Sequence, residues 1–154
     1  MILYLDTSAL IKKYFKEVGS DEIISKWKEA TGIVTSSVAY AEAIASIHRK
    51  KRETKFNNAK LVKILGTFRR DWNSFIRVDV TDDLNEWIDK MVSRYPLRGF
   101  DAIHLASALI VHDILPEDYL FACFDKILLQ AARTAGLKTL PDIADIRQNK
   151  FTQS

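Results

Sequence analysis

The chain has 154 residues, of which 47% are hydrophobic and 28% charged, and its net charge is +3. That composition excludes a disordered tail and a collagen-like rod, and no apolar run approaches the ~20 residues of a membrane span. The one cysteine, Cys123, excludes a disulfide scaffold and favours a reducing compartment. The first residues lack the basic region of a signal peptide. We therefore expect one soluble, cytoplasmic domain over residues 1–154, without membrane contacts.

In the first half of the chain, short β-prone runs alternate with apolar residues at helical spacing. The run from Ile2 to Leu5 predicts a buried strand that stops at Asp6, and Gly32 separates a helix from the next strand. The predicted elements are a strand over 2–5, helices over 8–15 and 20–27, a strand over 33–35, a helix capped by Ser36 or Ser37, and a helix over 55–72.

The second half continues the same alternation, and Gly136 supplies a natural helix end. The predicted elements are a strand over 75–80, helices over 82–92 and 101–112, a strand over 120–124, a helix over 126–135 and a strand over 138–140. Strands that alternate with helices pair in parallel and carry helices on both faces. We therefore predict an α/β fold with one mostly parallel sheet of about five strands.

Three aspartates stand where ligands bind in such sheets, outside the carboxyl ends of the strands. Asp6 and Asp125 directly follow predicted strands, and Asp101 opens a helix after a glycine-containing loop. Taken singly, each is better interpreted as a helix N-cap. Asp6, however, is followed by two hydroxyl residues that are able to cap, which leaves its carboxylate for another role.

A fourth acid, Glu42, lies among small alanines on a predicted helix, and a solvent-exposed glutamate is an equal alternative. If the four acids converge, their mutual repulsion requires protonation or a cation. Carboxylate oxygens suit Mg²⁺ or Mn²⁺, which polarise a phosphodiester and activate water. The four acids together therefore predict metal-dependent hydrolysis of nucleic acid.

Other chemistries find little support. The five glycines are scattered and form no phosphate-binding loop. The three histidines, with one cysteine, show no zinc-ligand spacing. His104 lies one helical turn after Asp101 and is able to support the site, although we favour a packing role for it.

A basic segment, Arg49 to Arg70, contains nine Lys and Arg residues and only one acid, Glu53, so the rest of the chain is net negative. Such a segment binds phosphates or an acidic partner, or is simply the solvated face of a helix. The sequence favours the solvated face.

Four motifs then resemble one known family. They are YLDTSAL from Tyr4 to Leu10, SVAYAE from Ser37 to Glu42, LRGFDAIHLASAL from Leu97 to Leu109, and FDK from Phe124 to Lys126. In this order they resemble PIN-domain proteins, and most closely the VapC-type toxins of toxin–antitoxin pairs. The resemblance covers nearly the whole chain. It implies a three-layer α/β/α sandwich and a Mg²⁺- or Mn²⁺-dependent endoribonuclease that acts on RNA.

The resemblance also implies roles for individual residues. Asp6 and Asp101 are the principal metal ligands, and Glu42 and Asp125 complete the acidic, catalytic pocket directly or through water. Thr7 or Ser8 offers a hydroxyl to the substrate or to metal-bound water. Homodimers and a cognate antitoxin that blocks the pocket are further implications. One position departs from the family, because Cys123 stands where a hydroxyl residue is common.

Two other hypotheses remain at this point. A receiver-like phospho-acceptor domain also uses aspartates at strand ends, but it needs an acceptor after a central third strand, where Asp79 and Asp82 fit badly. A non-catalytic RNA- or protein-binding PIN module would use the basic segment and leave the carboxylates as caps.

Overall fold

The structure is a computed structural model that describes residues 1–115 and 118–142. Five parallel strands form one sheet in the order β3-β2-β1-β4-β5, so that β1 is central. Every crossover therefore returns the chain to the same edge of the sheet. The strands are β1 (Ile2–Leu5), β2 (Gly32–Ser36), β3 (Ile76–Val78), β4 (Tyr119–Ala122) and β5 (Lys138–Leu140).

Helices cover both faces of the sheet, in two separate apolar clusters. Helices α1 to α4 supply one cluster, and α5 to α7 supply the other. The helices are α1 (Thr7–Ile11), α2 (Ser20–Glu29), α3 (Ala39–Thr54), α4 (Asn58–Ser74), α5 (Asn85–Arg94), α6 (Gly99–Ile114) and α7 (Lys126–Thr134), with a 3₁₀ turn at Asp82–Leu84. The predicted three-layer α/β/α sandwich is confirmed.

The central strand shows why the apolar runs are continuous. Ile2 and Tyr4 contribute to the cluster under α5 to α7, whereas Leu3 and Leu5 contribute to the cluster under α1 to α4. Successive side chains of a strand point to opposite faces, and both faces of this sheet are covered. Both sets of side chains are therefore buried.

The predicted order of elements is confirmed, but most boundaries differ by a few residues, and two of the differences bear on the site. Helix α1 ends at Ile11 rather than residue 15, because the amides of Lys12 and Lys13 bond to carbonyls three residues back and tighten the chain into a turn. The basic segment is split between two helices, since Lys55 ends α3 in a left-handed conformation and Asn57 caps α4. Its positive charges therefore face more than one direction.

The topology also excludes one hypothesis. Strand β3 lies at the edge of the sheet, and Asp79 after it is exposed. A receiver-like acceptor after a central third strand is therefore wrong for this chain. Within the described residues, no helix combines the length and the apolar character needed to cross a bilayer.

Candidate active site

Asp6 lies at the carboxyl end of the central strand and is almost fully buried. Its Oδ1 accepts hydrogen bonds from the Ala9 amide at 2.9 Å and the Ser8 hydroxyl at 2.7 Å. The same Ser8 hydroxyl oxygen accepts from the Phe124 amide at 2.9 Å. Asp6 is thus the N-cap of α1, contrary to the expectation that a neighbouring hydroxyl residue caps, and Ser8 ties it to the end of β4.

Glu42, in the first turn of α3, is held by two donors on one carboxylate oxygen. The Thr7 hydroxyl donates to Oε1 at 2.7 Å, and His104 Nε2 lies 2.8 Å from the same atom. Because a carboxylate only accepts, Nε2 carries a hydrogen. The Tyr4 hydroxyl lies 2.9 Å from Nδ1 of His104, which completes a chain of contacts from the core to the carboxylate.

This chain of contacts corrects the interpretation of His104. The residue is buried, as a packing histidine would be, but its ring nitrogens contact Tyr4 and Glu42. In the sequence, only the position of His104 one helical turn after Asp101 indicates that it supports the acidic site. The sequence does not predict the contact between Tyr4 and His104, because Tyr4 belongs to an apolar strand run and approaches His104 only in the folded chain.

The other two acids come from the opposite side of the sheet. Asp101 stands in the first turn of α6, whose N-cap is Arg98. Asp125 follows β4 and caps α7, since its Oδ1 accepts from the Leu128 amide at 2.9 Å. The capping interpretation therefore holds for Asp6 and Asp125 but not for Asp101.

The four predicted acids open into one cleft of about 600 Å³ at the carboxyl edge of the sheet. Thr7, Ser8 and His104 line the same cleft. Among residues 1–115 and 118–142, no three His, Cys, Asp or Glu side chains already stand close enough to enclose a metal ion. The acids therefore form an open acidic surface and not a closed cage.

Burial, neighbouring charges and hydrogen bonds shift the pKa values of Asp6, Asp101 and Glu42. Burial raises the pKa of Asp6 to about 6, against the opposing effects of His104 and the two hydrogen bonds to Oδ1. Burial and the negative charges of Asp125 and Glu42 raise the pKa of Asp101. Burial also acts to raise the pKa of Glu42, but the contacts with His104 and Thr7 outweigh it and lower that pKa. A positive charge in the cleft would relieve this repulsion.

The departure at Cys123 changes little in this site. Its thiol is buried, directly after β4, and burial raises its pKa. The thiol lies 3.5 Å from the carbonyl of Asp125 and does not line the cleft. Cys123 is therefore a small buried residue, as its place in a strand run predicts.

The basic segment contributes to the cleft only in part. Arg49 and Lys50, on α3, line it together with Lys12. Lys60 and Lys63, on α4, instead line a second groove against Lys13. The positive charge of the segment is therefore divided between two surfaces.

Comparisons with known proteins agree with this fold. The family model described as the PIN domain matches residues 3–134. Ribonuclease VapC45 of Mycobacterium tuberculosis is 29% identical over 144 residues, which cover 91% of this chain and 95% of that protein.

Two solved structures share the fold at low sequence identity. FitAcB from Neisseria gonorrhoeae superposes with a TM-score of 0.64 at 12% identity, over 90% of this chain and 96% of that one. A toxin–antitoxin complex from Klebsiella pneumoniae gives a TM-score of 0.58 at 17% identity, over 81% and 88% of the two chains. With most of its length matched by the family model, this chain belongs to the PIN-domain family.

Proposed function

We propose that this chain is a Mg²⁺- or Mn²⁺-dependent endoribonuclease and the toxin of a toxin–antitoxin pair. The observation that carries the proposal is the meeting of Asp6, Glu42, Asp101 and Asp125, from four different elements, in one cleft. The similarity to a ribonuclease VapC over nearly the whole chain supports the same activity.

The donor set fits the proposed cation. It consists of carboxylates on an open surface, and Mg²⁺ binds through one or two carboxylates while it keeps several waters and takes up substrate phosphate oxygens. Asp6 and Asp101 would hold the ion, with Glu42 and Asp125 direct or through water. When bound, the ion would supply Lewis-acid polarisation of the phosphodiester and a more acidic water.

The chain's own residues orient these carboxylates. Ser8 and the α1 backbone fix Asp6, and Thr7 with His104 fixes Glu42. Rotamers held in this way reduce the reorganisation needed when substrate binds. The Thr7 and Ser8 hydroxyls donate to carboxylates here, and a substrate contact by either remains a prediction.

The test is cleavage of total cellular RNA by purified, antitoxin-free protein with Mg²⁺ or Mn²⁺. We expect discrete fragments that are absent with EDTA. Asp6→Asn and Asp101→Asn should lower the rate by about a hundredfold or more, because a lost metal ligand removes several kcal/mol of transition-state stabilisation.

Asp113→Asn is the matched control, because Asp113 is an exposed acid at the other end of α6. It should cleave at the wild-type rate. Activity that survives both Asp6→Asn and Asp101→Asn would contradict the assigned site. No cleavage of any RNA by folded protein would favour the non-catalytic binding module.

We also propose a cognate antitoxin that covers the cleft, a homodimer, and a cytoplasmic location where RNA is available. The antitoxin is supported by the Klebsiella pneumoniae complex, in which a protein of this fold belongs to a toxin–antitoxin assembly. Co-purification with the antitoxin and sedimentation of the free chain would test the two assemblies. A chain that sediments as a monomer at all concentrations would contradict the homodimer.

A further inference from the structure

A carboxylate held between two lysines lies on the same cleft as the four acids. Glu17 Oε1 is 3.1 Å from Lys12 Nζ, and Glu17 Oε2 is 2.9 Å from Lys50 Nζ. The lysine side chains are only 15% and 28% exposed, yet both residues line the cleft. We refer to these three residues as the Lys12–Glu17–Lys50 cluster.

Helix α3 sets the distance between this cluster and the acids. Glu42 and Lys50 are eight residues apart on one helix that lines the cleft, which corresponds to about 12 Å along its axis. Ser46 and Arg49 lie on the same helix face between them. This wall of the cleft therefore changes from acidic at Glu42 to basic at Arg49 and Lys50 over about two helical turns. Glu53 follows about one turn later.

The loop that carries Glu17 is fixed by its own contacts. The Ser20 hydroxyl donates to the Phe15 carbonyl at 2.8 Å and accepts from the Glu17 amide at 2.9 Å. The Lys12 ammonium lies 4.7 Å from the centre of the Phe124 ring. The two ammonium groups therefore flank one carboxylate, and each contacts a different one of its two anionic oxygens.

Stability alone does not explain this cluster, because exposed ion pairs stabilise a fold by about 0–1 kcal/mol and more buried pairs also carry a desolvation cost. Two lysines and one glutamate also leave a surplus positive charge beside a strongly acidic centre. A phosphodiester offers two anionic oxygens, as the Glu17 carboxylate does, and lysine is a common phosphate ligand.

We propose that the Lys12–Glu17–Lys50 cluster is a phosphate subsite for the RNA backbone. Lys12 and Lys50 bind a phosphate about two helical turns from the carboxylates, while the Glu17 carboxylate pairs with both ammonium groups in the absence of RNA and competes with the phosphate for them. The proposal rests on the proposed function, because it takes RNA as the ligand. It predicts effects of opposite sign for the lysines and the glutamate.

The test is fluorescence anisotropy with a labelled single-stranded RNA, in EDTA at low ionic strength, with a gel to verify that the RNA stays intact. Lys12→Gln and Lys50→Gln should each weaken binding about three- to tenfold. Each should also reduce the slope of log affinity against log salt by up to about 0.7, because less phosphate charge is neutralised. Glu17→Gln should strengthen binding, since a competing anion is lost.

Two further variants sharpen the result. Lys51→Gln removes the same charge from the next position of α3, outside the cleft, and should bind RNA like the wild type. Lys50→Arg keeps a cation and should retain most of the binding. Thermal unfolding of every variant separates lost binding from lost folding.

Unchanged RNA binding in both lysine variants would overturn the proposal. Weaker binding by Glu17→Gln would also overturn it, because the cluster would then be a purely structural device. The proposal would also be overturned if Lys50→Gln lowered the affinity for an acidic peptide, polyglutamate, and left the affinity for RNA unchanged. Because metal and cleavage play no part in this assay, its outcome is independent of whether the chain is a nuclease.

Discussion

At the end of β1, the Asp6 carboxylate is both a helix cap and the most deeply buried of the four acids. Both observed hydrogen bonds fall on Oδ1, so capping does not occupy Oδ2. The N-cap role of Asp6 and the proposed role as a metal ligand are therefore compatible. One side chain serves the fold through one oxygen, and its second oxygen is the one we assign to a cation.

The raised pKa of Asp6 predicts a stability effect in the metal-free protein. A group with a pKa of about 6 when folded and 3.8 when unfolded destabilises the fold once it ionises, and the cost is complete above pH 6. Asp6→Asn keeps an oxygen acceptor for Ser8 and Ala9. It should therefore raise the free energy of unfolding at about pH 7.5 by up to about 3 kcal/mol.

Urea unfolding in EDTA measures this effect. The gain from Asp6→Asn should shrink to about 1 kcal/mol at about pH 4.5, where the folded carboxyl is protonated and only the unfolded one ionises. Asp79→Asn, at an exposed position, is the control and should show neither the gain nor its pH dependence. A gain that is the same at both pH values would contradict burial as its cause.

His104 gives a second prediction at the scale of single residues. His104→Gln removes the ring that links Tyr4 to Glu42, so the Glu42 carboxylate loses its orientation. We expect about a tenfold or greater loss in Mn²⁺ affinity and in cleavage rate. Calorimetric titration with Mn²⁺ measures the first quantity, and an RNA cleavage time course measures the second.

Tyr4→Phe should give a smaller loss in the same direction, because it leaves the ring in place and removes only the contact to Nδ1. His112→Gln changes an exposed histidine of the same helix and should have no effect. If His104→Gln binds Mn²⁺ as tightly as His112→Gln does, His104 is a packing residue after all.

At the scale of elements, the connection from α1 to α2 places Glu17 against Lys12 and Lys50. Gly19 caps α2 at a φ of 95°, in the left-handed region. A Cβ added there would lie 2.5 Å from Cε1 of Phe124. Gly19→Ala should therefore destabilise the fold by about 2 to 4 kcal/mol, from backbone strain and overpacking together.

Gly66→Ala is the matched control for this substitution. Gly66 lies within α4, and an added Cβ there would meet no atom within 4 Å. Alanine in place of a helix-interior glycine should stabilise by about 0.5–1 kcal/mol. Urea midpoints of the two variants should thus move in opposite directions, and a Gly19→Ala midpoint at or above that of the wild type would contradict the strain.

The helices and strands also show how much of the fold is predictable from the sequence. Strand and helix order was predictable, because buried strands of a parallel sheet read as apolar runs and helices carry apolar stripes. The short α1 was not, since its end depends on a turn stabilised by backbone bonds and not on its apolar pattern. The His104 chain of contacts was also beyond reach, because Tyr4 and His104 are 100 positions apart. Only the strand order brings them together.

At the scale of the whole molecule, the net charge is small, but the four acids and the basic side chains occupy separate parts of one cleft. Four acids stand at the carboxyl edge of the sheet, while Lys12, Arg49 and Lys50 line the same cleft. The sequence indicated a basic segment beside an acidic body, but it could not show that only part of the segment faces the acids. That arrangement depends on the break between α3 and α4.

The cluster of acids in the cleft also predicts how a divalent cation changes the stability of the whole fold. Burial and neighbouring negative charges raise the pKa values of Asp6 and Asp101, so the ionised forms of these two acids destabilise the metal-free state. A ligand that binds only the folded chain stabilises it by about 2.7 kcal/mol at a hundred times its Kd. We therefore expect Mg²⁺ or Mn²⁺ to raise the Tm, and EDTA to reverse the rise.

Differential scanning calorimetry across a Mn²⁺ titration measures this linkage. Asp101→Asn should start from a Tm at or above that of the wild type, because one repelling charge is gone, and should gain much less from Mn²⁺. Asp113→Asn should follow the wild type throughout. An equal rise in Tm for Asp101→Asn and the wild type would place cation binding elsewhere on the molecule, since the acids in the cleft would then not be its ligands.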